Sequence, residues 1–143
     1  MKKPYKKLFL DANILFDLVN SSNDINNYSL YFFNKILDQQ RSLYCSPTTF
    51  AITYYLIGKN LKEKKHLNDK VKRFFEPFTF TREDAVIMEK VLRSSFTDLE
   101  DGLQYYSAID AGVDVIITKN HFDFVRSAIP VYHPLQYISE FFL

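Results

Sequence analysis

Short apolar runs alternate along the chain with longer stretches in which apolar residues recur every three or four positions. The runs are Lys7 to Leu10, Ser42 to Cys45, Phe78 to Phe80, Asp114 to Thr118 and Val131 to His133. Each has the length of a strand and is separated from the next by helix-length sequence. After Asp11, the positions Ile14, Leu15, Leu18 and Val19 follow helical spacing, and Leu30, Phe33, Ile36 and Leu37 repeat it over Tyr28 to Asp38. The same pattern predicts helices over Thr48 to Ile57, Leu61 to Phe75, Arg82 to Arg93 and Thr97 to Ala111. Gly112 stops the last of these as a C′ residue. A tail helix covers Leu135 to Phe142, and SSND together with Pro47, Pro77, Pro130 and Pro134 marks turns or helix starts. Strands alternating with helices predict βαβ units. The expected fold is therefore α/β, a three-layer α/β/α sandwich with a mostly parallel five-stranded sheet, in one domain over residues 1–143. In such sheets ligands gather outside the carboxyl ends of the strands, where the strand order switches. That directs attention to Asp11, to the residues after Cys45 and to those after Thr118.

Composition narrows the class. With 47% hydrophobic and 24% charged residues in 143, the chain has ordinary globular usage and can bury a core without staples. The lysines before the first apolar run superficially suggest a leader, but Asp11, Asn13 and Asp17 interrupt the run, which argues against export. No apolar stretch approaches the length of a membrane span, so no membrane partner is expected. The one cysteine, Cys45, lies in the apolar stretch SLYCS and reads as a buried small hydrophobe; a reducing cytoplasm is the expected location.

The net charge of +1 hides an uneven distribution. Lys59 to Arg73 and the first seven residues hold eleven of the eighteen basic side chains, including Lys62, Lys64 and Lys65. Thr97 to Asp123 carries Asp98, Glu100, Asp101, Asp110, Asp114 and Asp123 against Lys119 alone. A basic face beside an acidic pocket suits a polyanion near a cation site; a lysine-rich helix with a solvated face explains the basic run equally well.

Asp11 ends the first strand, Asp101 opens the helix that leads into the fourth, and Asp123 follows that strand within TKNHFDF. Three carboxylates from distant segments can converge on one sheet edge. Such a cluster raises its own pKa values or demands a cation, and hard oxygen ligands suit Mg²⁺ or Mn²⁺. Each acid also has a structural reading: Asp11 as a helix N-cap, Glu100 as the partner of Thr97 in a capping box, Asp98 and Asp101 as complements to the helix dipole, Asp123 as a turn former and Asp17 as a helix-surface residue. His66, His121 and His133 lack metal-ligand spacing, so zinc is not expected. With three glycines there is no phosphate-cradling loop, and Ser46 and Ser107 lack a base. The aromatic residues read mostly as core, with base stacking a minor alternative for any one of them.

LFLDANILFD at the start, DLEDGLQYYSAIDAG in the third quarter and DVIITKNHFDF near the end together resemble the PIN domain family. The likeness is to the branch whose central motif is E-D-x-x-Q-Y, and it spans essentially the whole chain in order. The resemblance implies a metal-dependent ribonuclease that cleaves single-stranded RNA, often the toxin of a toxin–antitoxin pair, with Mg²⁺ or Mn²⁺ held by Asp11, Asp101 and Asp123. Asn13, Thr118 and Asn120 match the polar positions that orient water or the ligands, and Lys62, Lys64, Lys65 and Lys119 are candidates for the RNA backbone. RNA, an antitoxin protein and a second copy in a homodimer are the implied partners. Many PIN nucleases carry a glutamate in the helix after the second strand; here that position is Ile52, with Thr53 beside it, and Glu100 is the candidate substitute. The departure keeps a second reading open: a PIN-fold module that binds nucleic acid or protein with weak or no catalysis.

Overall fold

A computed structural model of the chain describes residues 3–20, 28–61 and 63–142. The five strands are β1 (Lys7–Leu10), β2 (Ser42–Cys45), β3 (Phe78–Phe80), β4 (Val115–Ile117) and β5 (Val131–Tyr132). They form one sheet in the order β3-β2-β1-β4-β5, and every pairing is parallel. The helices are α1 (Ala12–Asn20), α2 (Tyr28–Asp38), α3 (Pro47–Asn60), α4 (Leu67–Phe75), α5 (Ala85–Leu92), α6 (Leu99–Asp110) and α7 (Pro134–Phe141).

The central strands are apolar at almost every position because both faces are covered. Successive side chains point to opposite faces. Leu8, Leu10, Val115 and Ile117 enter one core with Ile14 and Leu15 of α1, Phe32 and Ile36 of α2, and Tyr137 of α7. Phe9 and Ile116 enter the other with Tyr105 and Ala108 of α6. The three-layer sandwich expected from the alternation is thus the fold observed. From β1 the chain builds outward to β2 and β3, then returns to place β4 on the other side of β1. The switch point lies between the carboxyl ends of β1 and β4.

Most of the aromatic richness is interior. Tyr137 is fully buried, its hydroxyl accepts the Tyr5 N–H at 3.1 Å, and its ring meets those of Phe32, Phe141 and Phe142. Cys45 is buried and free, as its apolar neighbours predict. Gly112 stands just past α6 at φ +71° and donates to the Ile109 carbonyl, which is the C′ role read from the sequence. Among the described residues no helix is long and apolar enough to cross a membrane.

Several boundaries differ from the sequence prediction: α3 runs on to Asn60, past the expected Ile57, and α5 begins at Ala85, three residues after the expected Arg82. The helix expected over Leu61 to Phe75 begins only at Leu67, after Leu61 in an extended conformation and His66 at φ 67°. The inward stripe Leu67, Val71, Phe75 starts there, and the lysine-rich stretch before it offers no apolar side chain after Leu61 to hold a helix down. Lys62 and the SSND turn lie outside the described residues. Helix α6 is capped by Asp98, whose carboxylate accepts the Asp101 N–H at 3.0 Å, and not by Thr97 with Glu100. The aspartate is an equally good cap, and using it puts Asp101 at N3. Finally, His121–Phe124 forms a turn of 3-10 helix that carries Asp123.

Helix α6 is pressed closely onto α5. A Cβ on Gly102 would stand 2.6 Å from Cγ1 of Val91 and 3.3 Å from Cβ of Phe96. Val91 is stiff at χ1, so Gly102→Ala must part the helices even though alanine favours a helix by about 1 kcal/mol. Overpacking costs typically about 1–3 kcal/mol. The expected net effect is a destabilisation of about 1 kcal/mol, read as a lower urea midpoint at unchanged slope.

Candidate active site

Asp11 sits at the switch point. Its N–H extends the sheet ladder to the Ile117 carbonyl at 3.0 Å, and its carbonyl accepts the N–H of Ile14 at 3.0 Å to start α1. Its backbone therefore joins strand to helix, and its carboxylate turns elsewhere. The Thr118 hydroxyl donates to Oδ2 at 2.8 Å and the Asn13 amide donates to the same oxygen at 3.2 Å. Thr118 is fully buried, and its Oγ1 also accepts from Asn13 and from the Asn120 N–H at 3.0 Å. Asn13 in turn accepts the Lys119 N–H. All three polar residues expected to support the site, Asn13, Thr118 and Asn120, are in this network.

Gln104, the glutamine of the E-D-x-x-Q-Y motif, belongs to it too. It is 1% exposed. Its Oε1 accepts the Ala12 N–H at 3.3 Å and the Thr49 hydroxyl at 2.9 Å. A backbone N–H can only donate, so the oxygen must face Ala12, and the amide N–H₂ is left for the Asp11 carboxylate, whose ionised form Gln104 stabilises. Thr49 completes the cap of α3: Ser46 accepts its N–H at 3.1 Å, and the two hydroxyls stand 2.9 Å apart. Helix α3 thus meets the site through a hydroxyl and an amide. No acid stands at Ile52. Ser46 and Ser107 are structural, the latter bonded to Thr81 and to the Arg82 carbonyl. Gln104→Leu strips a partner from Ala12, Thr49 and Asp11 at once. Groups that orient metal-ligating side chains typically account for about 10- to 100-fold in metal affinity, so if Asp11 holds an ion a loss of that size is expected in a calorimetric Mn²⁺ titration of this variant.

The three acids act on one another. Asp11 is 4% exposed, and burial raises its pKa, with Thr118, Ala12 and Gln104 opposing and Asp123 adding to the rise. Asp101, half-buried at N3 of α6, is pushed up to about 7, first by desolvation and then by Asp123, Asp98, Asp11 and Glu100. Asp123 is raised by partial burial and by Asp98. Among the described residues no ion pair reaches Asp11, Asp101 or Asp123.

Asp101, Asp123, Glu100 and Asn120 line an open cavity of about 540 Å³, rimmed by Phe122 and Arg126. Glu100 is exposed there. Among the described residues, the expected RNA-binding lysines Lys64, Lys65 and Lys119 are not on its lining. Lys64 is in a separate hollow with Tyr54 and His66, Lys65 is exposed in the turn before α4, and Lys119 makes an ion pair with Asp17 at 2.6 Å. Asp17 also accepts from Ser29, so it ties α1 to its neighbours and is more than a surface residue.

The chain matches a family model described as PIN domain over residues 7–121. It is 27% identical over 119 residues to Ribonuclease VapC1 of Aquifex aeolicus (strain VF5), covering 80% of this chain and 82% of that protein. Its fold is similar to that of VapBC2 from Rickettsia felis bound to a DNA fragment from their promoter, with a TM-score of 0.68 at 20% identity over 89% of this chain and 98% of that one. A toxin–antitoxin complex from Klebsiella pneumoniae gives a TM-score of 0.63 at 22% identity, over 89% and 97%. The family match covers the first strand, the helix that carries Asp101 and the strand that ends at Ile117, so the chain belongs to the PIN domain family.

Proposed function

We propose that this chain, as a single domain over residues 1–143, is an endoribonuclease that hydrolyses single-stranded RNA with Mg²⁺ or Mn²⁺, and that it is the toxin of a toxin–antitoxin pair. The observation that carries the reading is Asp11: a carboxylate 4% exposed at the switch point, raised by burial and electrostatically coupled to two other raised aspartates. Mutually repelling acids with no cationic partner are what a hard divalent ion relieves. Among the described residues no three His, Cys, Asp or Glu side chains already stand close enough to hold a metal. The donors fit the ion by chemistry, and binding must draw them together.

Asp11, Asp101 and Asp123 would hold the ion, which when bound supplies Lewis-acid stabilisation of phosphate charge and a more acidic water. The protein's own groups do the rest. Thr118, Asn13 and Gln104 fix the Asp11 carboxylate on a rigid strand end. The Asp98 cap fixes Asp101 through its backbone. Asp101 can hold a proton near neutral pH in the metal-free state. Glu100 lines the same cavity and adds to its negative field, a role compatible with substituting for the acid absent at Ile52.

The ribonuclease name of the Aquifex aeolicus relative and the toxin–antitoxin complex of the Klebsiella pneumoniae neighbour support the RNA and antitoxin parts of the proposal. A homodimer would use apolar side chains that the core leaves exposed, such as Met88 and Leu92 on one side of α5. The test is cleavage of a fluorescent single-stranded RNA and of the same sequence as a duplex, with Mn²⁺ and with chelator. Cutting of the single strand alone, only with Mn²⁺, is expected. Ile52 favours a second reading, a PIN module that binds without cutting, and that reading predicts RNA binding with no product under either condition.

A further inference from the structure

If RNA is the substrate, the cavity repels it. Among the described residues, Asp98, Glu100, Asp101 and Asp123 line it against one cation, Arg126, and Lys64, Lys65 and Lys119 lie off its lining. A neutral handle is needed. Phe122 stands on the cavity rim next to Asp123 and is 86% exposed, while Phe124, two residues on, is 1% exposed in the core with Tyr105. The buried ring pins the 3-10 turn, and the turn holds the other ring out over the site. A single exposed apolar residue is ordinary on a surface. One held at the mouth of an acidic cavity, with an arginine four residues away on the same rim, is in position to meet a ligand.

We propose that Phe122 is the platform on which one unpaired nucleobase of the RNA stacks, with Arg126 contacting an adjacent phosphate. The inference rests on the nuclease reading and deepens it. Every base has a π-face, so stacking tolerates any sequence, and a cavity of about 540 Å³ is of the size that small ligands occupy. In a duplex both faces of each base are already stacked. A platform here therefore selects single strands without base-specific hydrogen bonds. Arginine suits the phosphate because its fork pairs with two oxygens.

The chain contains no tryptophan, so Phe122→Trp places its only indole at the rim. The experiment uses Asp11→Asn/Phe122→Trp protein, a dye-labelled single-stranded RNA and a ribose-phosphate oligomer of equal length without bases, in Mg²⁺. Dye anisotropy reports binding and indole emission reports stacking. RNA should quench the indole in step with binding, and the baseless oligomer should not. In the Asp11→Asn background, Phe122→Ala should weaken RNA binding about 5- to 150-fold, the range expected for one stacked base, and leave the baseless oligomer unaffected. RNA that binds while the indole stays silent, or that binds the Phe122→Ala protein as tightly as its parent, overturns the inference and leaves the nuclease reading standing. RNA that binds neither these proteins nor the wild type overturns both.

Discussion

The Asp11→Asn protein is expected to keep its fold and to cut single-stranded RNA at least about 100-fold more slowly than the wild type. The fold survives because the backbone of Asp11 carries the structural work: its N–H reaches Ile117 and its carbonyl starts α1, and neither changes. An amide oxygen can still accept from Thr118 and Asn13, which share one carboxylate oxygen in the wild type. What the substitution removes is a charge that burial already disfavours. On the proposed mechanism cleavage falls because that charge would be a principal ligand for the ion, whose Lewis-acid contribution amounts to several kcal/mol, and each 1.36 kcal/mol is tenfold in rate. Stopped or gel-based cleavage with Mn²⁺, beside a circular dichroism melt of the same sample, checks both halves. Unchanged cleavage by folded Asp11→Asn protein would remove this residue from the site.

Asp11 was legible in the sequence for a simple reason. A carboxylate directly after a run of apolar residues has few homes, and the end of a buried parallel strand is one of them. The bounds of β1, β2 and β3 agree with the sequence prediction, because each strand is a short apolar run flanked by turn or helix signals. Gln104 was not legible as a site residue: its partners Ala12 and Thr49 lie 92 and 55 positions away, and no local spacing encodes such a contact. The α6 cap was ambiguous because Thr97 and Asp98 both suit N-cap, and only the packing of α6 decides between them. The 3-10 turn has no apolar period to read, so nothing in HFDF distinguishes the buried Phe124 from the exposed Phe122 before the fold sets them apart.

The raised acids also make stability a function of pH and metal. A carboxyl whose folded pKa exceeds its unfolded value binds more protons when folded. Stability therefore falls as pH rises between the two values, and the loss is complete above the upper one. For Asp101 the window runs from its usual 3.8 to about 7, and the raised values of Asp11 and Asp123 act in the same direction. His133 opposes them, since burial lowers its pKa and disfavours its protonated form below the usual 6.5. Asp110, lowered by Arg82, matters only below its usual 3.8. Comparison with Asp101→Asn cancels these other groups to first order: from pH 5 to 7.5, without divalent ions, wild-type stability should decline relative to the variant. Mn²⁺ at about 100 times its dissociation constant adds about 2.7 kcal/mol, which for a chain of this size is a rise in Tm of about 5–10 °C. That rise should be full at pH 7.5, where the ion meets carboxylates, and smaller at pH 5, where it must displace protons. It should be largely lost in Asp101→Asn. A Mn²⁺ shift that is equal at both pH values, or undiminished in the variant, would mean that the ion binds away from these acids.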